Sequence, residues 1–313
     1  MFKIRTDHLG SLLRFVLANP ETGEYVSIIP GFGGNVNRIV LRKMDKNYAI
    51  LDGARTDSEL IKNAWFKGAK LIPFPNRICN GQYSFAGKPY QLPINLGNHA
   101  IHGFIYDKVL KVTDKTINDN QVCLELEYLY DASLKGYPFN FQATLTYSLI
   151  RDKGFQYKTE ITNLGNCSLP VGDGWHPYFK TKGKVDRLHI KIPAESRTEV
   201  NAQMIPTGKR IHENYDDSFQ IGNKQFDTGF VLKKAGGKAI TELYDPDLDL
   251  KICLWQETGK WKYNYLQVFI PPSRGSIAIE PMTCTTDAYN NRIGLIILEP
   301  RQSFAANCGV RLE

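Results

Sequence analysis

Alternation with a period of two runs through most of this chain and constrains its fold more than any other feature. In QVCLELEYLY (121–130), Val122, Leu124, Leu126, Tyr128 and Tyr130 fall on one face. In FQATLTYSL (141–149), Phe141, Ala143, Leu145, Tyr147 and Leu149 point one way, and Gln142, Thr144, Thr146 and Ser148 the other. FQYKTEIT (155–162) repeats the pattern with Phe155, Tyr157, Thr159 and Ile161. Successive side chains of a strand point to opposite faces, so these stretches are half-buried strands, and half-buried strands belong to antiparallel sheets.

The link RDKG (151–154) carries turn chemistry and predicts a hairpin between the last two strands. Further strands are expected at LKICLW (250–255), YLQVFI (265–270), SIAIE (276–280), where the strand ends on Glu280, and LIILE (295–299). GFGGNV (31–36) lacks the GxGxxG order and a following helix, so it reads as a turn between strands. Only DSELIKNAW (57–65) has a helical pattern. No repeat, low-complexity segment or linker divides the chain, so residues 1–313 read as one antiparallel all-β domain. The strands outnumber those of a seven-stranded sandwich, which predicts extended, curved sheets packed face to face.

The composition suits that reading. With 313 residues, 42% of them hydrophobic, the chain can bury a large core, and 12% aromatics favour sheets and ring-stacking faces. The net charge of +7 is scattered. Its densest patch, Lys180, Lys182, Lys184, Arg187 and Lys191, reads as the exposed face of an edge strand, and no nucleic-acid-binding module accompanies it. No apolar run approaches the ~18 residues of a membrane helix, and the N-terminal apolar run is short and interrupted by charge. The six cysteines form no CxxC pair and read as dispersed, mostly buried thiols. A cytoplasmic protein without membrane or nucleic-acid partners is expected, as a monomer or homodimer.

Ionisable residues embedded in apolar runs mark candidate chemistry. PFPNRICNG (73–81) holds Asn76 and Arg77, NHAIHGF (98–104) holds His99 and His102, GWHPYF (174–179) holds His176, and SIAIEPMTCTTDAYNN (276–291) holds Glu280. Each has a plain structural alternative. Arg77 could pair with a structural carboxylate. His99 and His102 could be turn residues, and their spacing without a third ligand or an HExxH pattern argues against a metal. Glu280 has a rival in Glu299, also a strand-end glutamate before proline. Residue spacing leaves those two unseparated.

In order and spacing, these stretches resemble the aldose 1-epimerase (galactose mutarotase) family. The resemblance spans nearly the whole chain, through IIPGFGGNVNRIVL, PNRICNGQYSFAGKPYQLPIN, HAIHGF, GYPFNFQATLTYSL, HPYF, MIPTG, FDTGFVL and IEPMTCTTDAYN. It implies an all-β antiparallel supersandwich with an open sugar cleft on a concave sheet. It also implies Glu280 as the base, His176 as the acid, and Asn76, Arg77, His102 and Asp227 as sugar-binding residues. Two departures touch sugar preference: Phe104 stands where the family often has a second Gly after His-Gly, and Lys180 where it often has Asn.

The implied chemistry opens a pyranose ring. The anomeric hydroxyl loses a proton to one group while the ring oxygen gains one from another, and each positioned group contributes about 10²–10⁴-fold. No redox chemistry occurs, so no metal or organic cofactor is needed. Trp175, Tyr178 and Phe179 are expected to exclude water and stack on the sugar. Desolvation would lower the His176 pKa and nearby carboxylates would raise it. Rival readings are a hexose-6-phosphate epimerase, a non-catalytic sugar-binding module, and a lyase or lectin of similar shape. The phosphate-specific relatives carry an arginine after His-Gly-Phe, where this chain has Tyr106 and Asp107, followed by Lys108.

Overall fold

The computed structural model of the chain describes residues 1–233 and 237–313. Its strand pairings are antiparallel, and three sheets dominate. The first five strands form an N-terminal sheet in sequence order, from Lys3–Leu9 to Lys46–Ala49. A nine-stranded sheet is built around Gln121–Tyr130, Phe141–Ile150, Gly154–Asn163 and Ser303–Leu312. A second large sheet runs through Ala194–Val200, Asp227–Leu232, Tyr265–Phe269 and Ile277–Met282. The two-residue strands Gly174–Trp175 and Tyr178–Phe179 both pair with Ile277–Met282. This is the antiparallel supersandwich that the alternation and the resemblance predict.

The alternation becomes burial directly. Val122, Leu124, Leu126, Leu145, Tyr147, Phe155 and Tyr157 all lie in one hydrophobic core that also holds Trp175, Leu266, Val268 and Ile279 from the second large sheet. Phe155 and Tyr157 meet Trp175 edge-on, each with ring centroids 5.7 Å apart, so the two large sheets face one another across this layer. The 151–154 link turns the hairpin as expected, with Lys153 N–H donating to the Ile150 carbonyl.

Several expectations need correction. The helix stops at Asp57–Lys62, because Asn63 adopts a left-handed conformation and its N–H caps the Glu59 carbonyl. A second short helix, Ala288–Asn291, has no apolar period to announce it. Lys180, Lys182, Lys184, Arg187 and Lys191 do not share a strand face. Arg187 lies in the 3₁₀ turn Val185–Arg187 and pairs with Asp245, whereas Lys180 pairs with Asp52. Lys191 ends a strand with neighbours on both sides. Of the six cysteines, all unpaired, Cys253, Cys284 and Cys308 are buried and Cys167 is exposed. Among the described residues no helix is long and apolar enough to cross a membrane.

Candidate active site

The sheet register itself builds the centre of the site. Gly229 pairs with Gln267, and Gln267 with Glu280. On the other side of the Glu280 strand, Gly174 pairs with Met282 and Tyr178 with Ala278. Continuing that register places His176 opposite Glu280, in the gap between the two short strands. The gap also accommodates Pro281, which lacks the N–H a continuous ladder would use. Glu280 is therefore not a strand-end residue, as the sequence suggested. It lies inside Ile277–Met282, with Gln267 on one flank and His176 on the other.

His176 Nε2 lies 3.4 Å from Glu280 Oε1. Both side chains are almost fully buried, yet both line an open cleft. Glu280 Oε2 and His176 Nδ1 make no hydrogen bond within the protein. Burial lowers the His176 pKa to about 3 and raises that of Glu280 well above the usual carboxylate range. Asp227 raises Glu280 further, and the Arg77 guanidinium opposes that rise. Of the two influences on His176 that the sequence left open, desolvation wins.

Connecting segments and the strands Arg77–Ile78 and Asp227–Leu232 supply the rest of the cleft. Asn76 and His102 both adopt left-handed backbone conformations and are stapled together. The Asn76 N–H donates to His102 Nδ1 at 3.1 Å, and the His102 N–H donates to the Asn76 carbonyl. With Nδ1 accepting, a neutral His102 carries its proton on Nε2. Burial and the neighbouring His176 and Arg77 keep the ring neutral by lowering its pKa well below the usual value. Gly103 is required beside it: φ is +68°, and a Cβ would come within 2.0 Å of the Ile72 carbonyl oxygen. The Asn76 side-chain oxygen accepts from the Arg77 backbone N–H and, at 3.3 Å, from its guanidinium. That guanidinium makes no salt bridge among the described residues, so it does not serve a structural carboxylate. Asp227 accepts from Gln267 Nε2 at 2.7 Å and is pushed upward in pKa by burial.

The cleft thus gathers Glu280, His176, His102, Asn76, Arg77 and Asp227. His99 lies outside it and accepts the Asn80 N–H. Glu299 is exposed and bonded to Ser168. The aromatic expectation divides by strand face. Tyr178 lines the cleft and stacks on His176, with centroids 5.0 Å apart and planes 9° apart. Trp175 and Phe179 point the opposite way, into the core, and cannot stack on a ligand. Their place is taken by residues the sequence reading missed. Trp65 stacks on Phe269 at 5.7 Å, and Phe66 meets His102 edge-on at 4.8 Å. Phe66 has φ of +51°, an uncommon conformation for a bulky residue that no sequence pattern reveals. Gln267 was legible in principle, as the polar member of the face Tyr265, Gln267, Phe269.

The comparisons with known proteins agree with this architecture. The family model for aldose 1-epimerase matches residues 15–311, and the chain belongs to that family. It is 30% identical over 239 residues to the uncharacterized protein YihR of Escherichia coli K12, covering 74% of each chain. It is 28% identical to the galactose mutarotase of Sus scrofa over 67% of this chain but 58% of that one. A galactose mutarotase-like protein from Clostridium acetobutylicum superposes with a TM-score of 0.88 at 23% identity, over 100% of this chain and 98% of the other. At that identity the likeness speaks for the fold alone.

Proposed function

We propose that this protein, as one domain over residues 1–313, interconverts the α and β anomers of free aldohexoses. The observation that carries the reading is the His176–Glu280 pair, 3.4 Å apart and buried on a cleft. Glu280 as carboxylate takes the C1 hydroxyl proton, the C1–ring oxygen bond breaks, and His176 as imidazolium gives the ring oxygen a proton. Rotation about C1–C2 presents the other carbonyl face, and the same transfers in reverse close the ring. Ring opening leaves Glu280 protonated and His176 neutral, the forms that burial favours. Arg77 and the Nε2–H of His102 are donors for oxygens as charge develops, and Asp227 accepts from hydroxyls. No redox step occurs, so the reaction calls for no cofactor or metal. Unpaired cysteines accord with a cytoplasmic setting.

Free sugars are the proposed substrates because the cleft lining carries one permanent cation, Arg77, against two carboxyl groups. Tyr106, Asp107 and Lys108 do not line it, and Lys108 pairs with Asp107 at 3.0 Å. The test is polarimetry on freshly dissolved α-D-glucose, α-D-galactose and glucose 6-phosphate. Faster relaxation of the free sugars is expected. No acceleration for any free aldose would end the catalytic reading, and a preference for the phosphate would reassign the substrate.

The pH profile tests the acid–base pair. The active pair holds one proton in total. With His176 near 3, a second proton adds only in strong acid, and with Glu280 raised, the last proton leaves far above the ordinary 4.5. The expected kcat/KM profile is therefore a plateau that starts in strong acid and ends above the ordinary carboxylate value, with no inflection near the ordinary histidine value. An acid limb centred near the ordinary histidine value of 6.5 would contradict the pairing.

A further inference from the structure

Directly behind the acid–base pair, a charged cluster lies in the core. Lys70 and Asp173 have side chains with no solvent exposure, and their charges meet at 2.7 Å and 2.9 Å. Tyr263 donates to the same carboxylate at 2.7 Å, and its hydroxyl lies 3.3 Å from Thr159. The Lys70 ammonium sits over the Tyr157 ring, 4.8 Å from its centroid. Replacing a buried ion pair with well-packed apolar residues is often neutral or stabilising, so stability alone does not explain its presence.

Its placement suggests another role. Lys70 lies on the two-residue strand Lys70–Leu71, and Asp173 immediately precedes Gly174–Trp175. The Asp173 N–H donates to Thr283 Oγ1, and the Thr283 N–H donates to the Asp173 carbonyl, just beyond Ile277–Met282. The cluster ties together, at one point, the strand before His176, the end of the strand that carries Glu280, and the Lys70–Leu71 strand beside the first. Two-residue strands carry few ladder bonds, and a slip of one residue turns every side chain over. Here a slip would send His176 into the core and Trp175 into the cleft.

We propose that Lys70, Asp173 and Tyr263 act as a register lock, positioning residues that fix His176 opposite Glu280 rather than supplying stability. The inference rests on reading that pair as the acid–base machinery. The test is the triple variant Lys70→Met, Asp173→Leu, Tyr263→Phe, which replaces the whole cluster with apolar side chains. The expected result is a Tm at or above wild type with kcat lower by about 10²-fold, the order that a ~1 Å misplacement costs. KM should hold, because Arg77 and Asp227 stand on other elements. NMR gives a readout free of activity: His102 and His176 have ring centroids 5.1 Å apart, and their ring-proton NOE should weaken. A folded variant with wild-type kcat and an intact NOE overturns the lock. So does a variant that unfolds or loses Tm, since the cluster would then be a stabilising one. If wild type itself shows no mutarotase activity, the functional reading fails, and the NOE still decides the lock.

Discussion

Glu280→Gln lowers kcat by about 10²–10⁴-fold and leaves Tm near wild type, while Glu299→Gln leaves the rate unchanged. The magnitude is that of removing one positioned acid or base. The amide has nearly the shape of the protonated carboxyl that burial favours at this position, so the fold is not disturbed. What it loses is the ability to accept and return a proton beside His176, 3.4 Å away. Glu299 shares the local sequence, a glutamate before proline after an apolar run, but is exposed and bonded to Ser168. Polarimetric rates for both variants, with thermal melts, check this. Equal losses, or a larger loss at Glu299, would mean that another carboxylate is the base.

Asp173→Ala alone destabilises the protein by about 3–5 kcal/mol, because it leaves the Lys70 ammonium buried and unpaired. Lys70 is fully enclosed, so no solvent replaces the lost carboxylate. The Tyr263 hydroxyl loses its acceptor in the same change. At ~2 °C for each kcal/mol in a chain of this length, Tm should fall by roughly 5–10 °C. Calorimetry or a denaturant melt measures it. A drop below about 1 kcal/mol would show that the core there relaxes or admits water. Breaking the pair and replacing the whole cluster are thus expected to move Tm in different directions.

Much of the fold was legible because a half-buried strand writes its two faces into alternate residues. Phe155 and Tyr157 in the core, alternating with half-buried Gln156 and Lys158, are that pattern made solid. The candidate site was legible where a polar residue broke an apolar run, as at His176 and Glu280. What stayed hidden depended on pairing between distant segments. That His176 faces Glu280 follows from strand register, which no local stretch contains. The inward turn of Trp175 and Phe179 needed the face of the strand, not its composition. Trp65 and Phe66 reach the cleft through the left-handed Asn63 and Phe66 backbone, and no residue spacing signals that.

The division of the cleft between sheet and loops has a consequence for how such a protein can change. Glu280, His176, Gln267 and Asp227 are held by a hydrogen-bonded lattice, where an insertion would shift every neighbour. Trp65, Phe66, Asn76 and His102 sit on connecting segments that tolerate altered length, and Arg77 on a two-residue strand between them. On the proposed reading, the loop side of the cleft can therefore vary while the proton-transfer pair stays in place. Exchanging the 63–68 and 94–104 segments is expected to alter the proposed sugar preference and to leave His176 and Glu280 where the sheet holds them.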